Sequence, residues 1–157
     1  MAAGGWMAGR NGLRAWRGYS AGVDALPWDC VVLGIPKSVQ AKAASIARWK
    51  AEVAAAAMAA WPTDSAPLEC EVQIHVTYYH DGAPLDVDNM LKPIQDALCG
   101  VAYEDDKQLT DTHGHLRDLN GRYRVRGMTP AQAYGFTAGG PFVHIRIELP
   151  SPPGELP

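Results

Sequence analysis

The chain of 157 residues lacks any apolar run near the ~20 residues that a membrane-spanning helix needs. Its longest candidate, Val53 to Trp61, is alanine-rich and short. Cysteine is scarce: Cys30, Cys70 and Cys99 stand alone, without CxxC spacing. That excludes a disulfide-dense frame and a thiolate zinc site, and fits reduced thiols in a cytoplasmic protein. No apolar core follows Arg10, Arg14 and Arg17, so a secretory signal is not expected. An excess of base is also missing, the net charge being −3.

That charge is unevenly spread. Residues 81–111 hold eight acids (Asp81, Asp86, Asp88, Asp96, Glu104, Asp105, Asp106 and Asp111) against Lys92 and Lys107, which leaves the rest of the chain at +3. A concentrated acidic segment repels phosphate on its own but attracts it once a divalent cation is bound. Overall charge therefore neither favours nor excludes nucleic acid as a partner.

The pattern along the chain predicts one α+β domain over 27–150, with a mixed sheet of about four strands and two main helices. Residues 1–26, rich in Gly, Ala and Arg, are expected to form a flexible arm, and 151–157 a disordered proline-rich tail. Trp28 to Ile35 reads as a compact apolar strand. A helix is expected from about Val39 to Trp61, capped near Ser38 and ended by Pro62. Its Trp49 and Trp61 belong to the core or to packing between subunits before they belong to base stacking. Glu69 to His80 alternates as a half-buried strand, with Val72, Ile74, Val76 and Tyr78 facing one way. A short helix from about Met90 to Leu98, a strand over 106–118, a Gly-containing loop over 120–140 and a last strand from Pro141 to Leu149 complete the reading.

Chemistry concentrates between Leu85 and Leu109. In extended backbone Asp86 and Asp88 point to one side and can share a cation. Pro93, which lacks an N–H, predicts a helix start close before it, with the cap at Asn89 or later. Both aspartates then precede a helix N-terminus, whose dipole favours their ionised form. Lys92 lies in the first turn, within reach of a phosphate. A third carboxylate, from Glu104-Asp105-Asp106, completes an all-oxygen set suited to Mg²⁺ or Mn²⁺ and to phosphodiester hydrolysis. An EF-hand is excluded, because Met90 and Ala97 stand where that loop needs an oxygen ligand and its terminal Glu.

The run Asp86-Val-Asp88-Asn89, Lys92, Asp96-Ala97-Leu98, Gly100 and Tyr103-Glu104-Asp105-Asp106-Lys107-Gln108-Leu109 resembles the RusA family of Holliday-junction resolvases. So does Gly34-Ile35-Pro36-Lys37-Ser38-Val39-Gln40-Ala41-Lys42 upstream. The resemblance spans about residues 30–118. It implies a small mixed α+β fold that forms a homodimer, metal-ligand roles for Asp86, Asp88 and Asp106, and a catalytic role for Lys92. Asp105 is the alternative third ligand. The implied activity is Mg²⁺-dependent endonucleolytic resolution of four-way DNA junctions in recombination and repair. A nuclease for branched or flap DNA and a non-catalytic DNA-binding protein of the same fold are the rivals.

Lys37, Lys42, Arg122, Arg124 and Arg126 are the candidate contacts to DNA, although the last three also fit an ordinary solvated face. His113 and His115 share one side of a strand, as a second metal pair or as histidines with local hydrogen bonds. Asp96 either supports the site or pairs with Lys92 one helical turn away.

Overall fold

The computed structural model describes residues 23–152 and 154. Most of the expected arm and part of the tail lie outside the described residues; within the arm's expected bounds, Val23–Ala25 forms a 3-10 turn. Four strands and three helices follow: β1 (Trp28–Leu33), α1 (Ala43–Ala60), β2 (Val72–His80), α2 (Val87–Leu98), β3 (Leu109–Asp118), α3 (Pro130–Thr137) and β4 (Phe142–Glu148). The fold is α+β, as the sequence predicts. The strands lie in the order β1-β4-β2-β3; β2 and β3 are parallel, and the other neighbouring pairs are antiparallel.

Period-two alternation divides the sheet into two faces. Val72, Ile74, Val76 and Tyr78 of β2 join Ile145 and Ile147 of β4 and Cys30 and Val32 of β1 beneath α1 and α2. Trp49, Val53 and Ala57 are the buried stripe of α1. Trp61 closes the core edge-on to Trp28, ring centroids 5.0 Å apart, so both helix tryptophans pack in the core. Burial within this layer pushes the Cys30 thiol up to about 12 and keeps it protonated.

Helix boundaries are where the structure departs from expectation. Residues 39–42 form a turn, and α1 begins at Ala43 with Lys42 as its cap, so Ser38 does not cap it. Helix α2 begins at Val87, capped by Asp86, which corrects the cap expected at Asn89 or later and the start expected near Met90. Pro93 is then the seventh residue of α2 and not part of its first turn. An interior proline costs a helix about 3 kcal/mol, largely through the lost i→i−4 hydrogen bond and a clash with the preceding turn. Here the carbonyl that Pro93 leaves without its N–H, on Asn89, accepts from the Val39 N–H at 3.0 Å.

The stretch 120–140 is not all loop. Thr129 caps α3 by accepting from Gln132 N–H at 3.2 Å, Gln132 Oε1 accepts in return from Thr129 N–H, and Pro130 occupies the first helical position. Those residues spell a capping box with proline inside it, a signal present in the sequence. Gly135 lets this helix press onto β4, since a Cβ there would fall 2.5 Å from the Phe142 ring.

Candidate active site and its basic flank

Helix α2 runs back along β3, and the contact between them fixes its N-terminus. A Cβ on Gly114 would lie 2.5 Å from Val87 Cγ2 and 3.3 Å from Leu91 Cδ1, so only glycine admits this approach. One turn later Gln95 Nε2 donates to Thr112 Oγ1 at 3.1 Å. Asp86 and Asp88 thereby stand at the start of α2, both exposed, and the Asp86 carboxylate makes no capping hydrogen bond. They occupy the cap and first turn of a helix, not an extended strand, so the expected same-side arrangement through strand geometry does not hold.

Lys92 follows Asp88 by one helical turn and precedes Asp96 by another. Its Nζ lies 2.7 Å from Asp96 Oδ1 and 2.7 Å from Asp106 Oδ2. Asp96 also faces Lys50 at 3.7 Å. Hydrogen bonding to Asp106 and then Asp96 raises the Lys92 pKa and keeps the ammonium charged. The same bond is the largest cause holding the Asp106 carboxyl below its ordinary value.

The acidic turn distinguishes its two neighbouring aspartates. Asp105 caps the short 3-10 helix Asp106–Gln108, its Oδ1 accepting from Lys107 N–H at 2.9 Å. Gln108 Oε1 accepts from Glu104 N–H and Asp105 N–H, while its Nε2 donates to the carbonyls of Leu68 and Cys70. Buried Tyr103 anchors the turn to α2 by donating to Gln95 O at 2.7 Å. Asp105 is thus occupied with its own turn, and Asp106 is directed at Lys92.

Among the described residues, no three Asp, Glu, His or Cys side chains converge as a ligand group for a metal ion. The donors nearest the chemistry are carboxylate oxygens, the type a hard divalent cation takes. A three-ligand cage, however, is not assembled in the single chain, where Asp106 is engaged by Lys92.

The sequence profile of the endodeoxyribonuclease RusA family matches residues 37–126, more than half of the chain. The protein belongs to the RusA family. The matched region runs from the turn before α1 through α2, the acidic turn and β3 into the arginine-bearing loop. No curated protein matches the chain. Membership makes it an endodeoxyribonuclease by family, with DNA as the substrate class. No helix of the described residues is long and apolar enough to cross a membrane.

Away from the carboxylates, the candidate DNA contacts of this RusA-family chain fall in two places. Lys37 and Lys42 are both exposed on the turn before α1, which is tied to α2 through Val39. Arg122, Arg124 and Arg126 are exposed on the irregular segment between β3 and α3. His113 and His115 face the sheet side away from α1 and α2, where His113 stacks on His75 at 4.3 Å with rings 8° from parallel. That partner across the strands is not evident from the sequence, because β2–β3 register is a long-range fact.

The same face also holds a buried cluster that sequence reasoning missed. Asp29 Oδ2 receives the Thr129 hydroxyl and lies 2.7 Å from His144 Nε2. The hydroxyl donates to the carboxylate and not to the imidazole, so the set anchors α3 to β1 and β4 and does not form a nucleophile relay.

Proposed function

We propose that the chain is a divalent-metal-dependent nuclease that resolves four-way DNA junctions, with its reacting centre at Asp86, Asp88, Lys92 and Asp106. The observation that carries this reading is Lys92 held between Asp96 and Asp106, one turn along α2 from Asp88, in a chain of the RusA family. Mg²⁺ or Mn²⁺ held by Asp86, Asp88 and Asp106 would supply Lewis-acid polarisation of the phosphoryl oxygen and a water of lowered pKa.

The chain's own residues do the remaining work. Lys92 is the cation that meets the charge growing on the phosphoryl group, and its ammonium stays protonated well above neutral pH. Two carboxylates hold it, so Asp96 still orients it when Asp106 turns away to serve as a ligand. Lys37, Lys42, Arg122, Arg124 and Arg126, on either side of this centre in sequence, contact the DNA backbone and set affinity without reading bases. A homodimer presents two such centres and nicks opposing strands of a junction, in the setting of recombination and repair. Residues 27–150 form the nuclease domain.

Cleavage of four-way, flap and linear DNA with and without Mg²⁺ tests the reading. Wild-type chain is expected to cut the junction in Mg²⁺, and Asp88→Asn to bind it and leave it intact. Equal cutting of all three substrates would remove the junction from the proposal; full cutting by Asp88→Asn would remove the site.

A further inference from the structure

The sheet face opposite α1 and α2 carries a recess of about 240 Å³ lined by Thr77, Tyr79, His115, Arg117, Tyr123 and Arg124 among others. It is below the roughly 300–1,000 Å³ typical of small-molecule sites. Strand register builds its floor: His115 pairs with Thr77, and Arg117 with Tyr79. Tyr79 is buried, stacked on Phe142 at 4.5 Å and edge-on to Phe136 at 4.9 Å, so its ring is rigid. Tyr123 leans over it at 6.3 Å and keeps 42% of its surface exposed.

The cations here make no ion pair among the described residues, and Arg117 donates only to the Leu116 carbonyl, at 2.8 Å. Neither Arg117 nor Arg124 forms an ion pair with a carboxylate among the described residues. Nearby Asp118 is committed to its own turn, its Oδ1 accepting from Asn120 N–H at 2.9 Å and from Asn120 Nδ2 at 3.2 Å. Two guanidinium groups without a carboxylate partner, beside an exposed ring on a rigid aromatic base, match the combination that grips single-stranded nucleic acid.

Its position relative to the carboxylates adds a second constraint. Gly114 faces α2 and meets Val87 at the helix start, whereas the next residue, His115, faces the recess. The two sites therefore lie at the same stretch of β3, on opposite faces of the sheet, and β3 is an edge strand.

We propose that this recess binds DNA where its strand leaves the duplex, Tyr123 stacking one unpaired base while Arg117 and Arg124 hold the adjoining phosphate. This rests on the chain acting on branched DNA. A junction supplies such a base at its branch point once it is opened, and the recess then holds the strand around the β3 edge while the carboxylate centre faces the scissile phosphate.

The test is binding of a junction carrying 2-aminopurine at the branch point, in the Asp88→Asn background, read by anisotropy and by base fluorescence. The further change Tyr123→Leu is expected to abolish quenching of the 2-aminopurine and weaken binding roughly 5- to 150-fold, the range for removing one base–aromatic stack. Arg117→Ala with Arg124→Ala is expected to reduce the salt slope by about one for each phosphate that is no longer neutralised. Unchanged affinity, quenching and salt slope in these variants would overturn the recess. So would binding of a free mononucleotide or inorganic phosphate as tight as that of the strand. Arg124→Ala, confined to an exposed loop, keeps the test valid if Tyr123→Leu unfolds the chain. Loss of all cleavage by wild-type chain, with recess-dependent binding intact, would sink the nuclease reading and leave this one standing.

Discussion

The Val39 N–H donates to the Asn89 carbonyl at 3.0 Å, and it can do so because Pro93 offers that carbonyl no N–H of its own. The residue that interrupts α2 thus creates the acceptor that docks the turn bearing Lys37 and Lys42 against the helix bearing Asp86, Asp88 and Lys92. An exposed side chain on a short turn would ordinarily go with rapid amide exchange. The Val39 amide is instead expected to exchange as slowly as amides within α2, and exchange at the rate of a free turn would show that the bond does not persist in solution.

Adjacent acids are expected to behave differently. Asp105→Ala removes a cap and should cost about 1 kcal/mol of stability, while junction cleavage by the folded fraction continues. Asp106→Asn should lower thermal stability only slightly, through loss of the exposed pair with Lys92, and abolish cleavage in Mg²⁺. Parallel melting curves and cleavage assays decide the assignment; loss of cleavage in Asp105→Ala alone would reverse it.

Gly114→Ala probes the approach of α2 to β3. The new Cβ meets Val87 Cγ2 at 2.5 Å, so the Val87 side chain must give way, and the helix start with it where the side chain has no room to turn. Overpacking of this kind costs about 1–3 kcal/mol. Because the displaced turn carries Asp86 and Asp88, cleavage at saturating DNA should fall further than the folded fraction does. A variant that loses stability with full activity per folded molecule would separate the packing from the site.

Acid should weaken the fold through its histidines. His75, His115 and His144 all have pKa values below the ordinary 6.5, burial being the largest cause in each. The unfolded chain then binds protons more readily than the folded one just below pH 6.5, so stability is greatest above that value. It falls as pH drops through the lowered folded values. Asp106, whose pKa is also lowered, adds stability above its ordinary 3.8 and loses it in a separate, more acid window. Urea unfolding at pH 7.5 and 5.5 should show the loss, and His115→Gln should reduce it; a fold as stable at 5.5 would contradict the lowered histidine values.

How far these features are legible in the sequence depends on the range of the interaction. The alternation in β2 and the Asp86 to Leu109 pattern are local, and both locate their elements. Pro93, read by intrinsic helix cost alone, misplaces the start of α2, because a tertiary donor, Val39, takes the freed carbonyl. Helix α3 escapes a reading by composition although Thr129, Pro130 and Gln132 announce it; its short length and Gly135 hide the signal. The His75–His113 stack and the Asp29–His144 contact depend on strand register, which no single stretch of sequence displays.

Gln108 gives the acidic turn an unusual dependence. Its one amide group joins the backbone of residues 104 and 105 to carbonyls of Leu68 and Cys70, 40 and 38 positions earlier in the chain. The bonds to residues 104 and 105 are local, whereas those to Leu68 and Cys70 cross the chain and fix where the turn sits. The turn that directs Asp106 at Lys92 is thereby fastened to the approach to β2 as well as to α2, so the reacting centre draws on three separate parts of the chain.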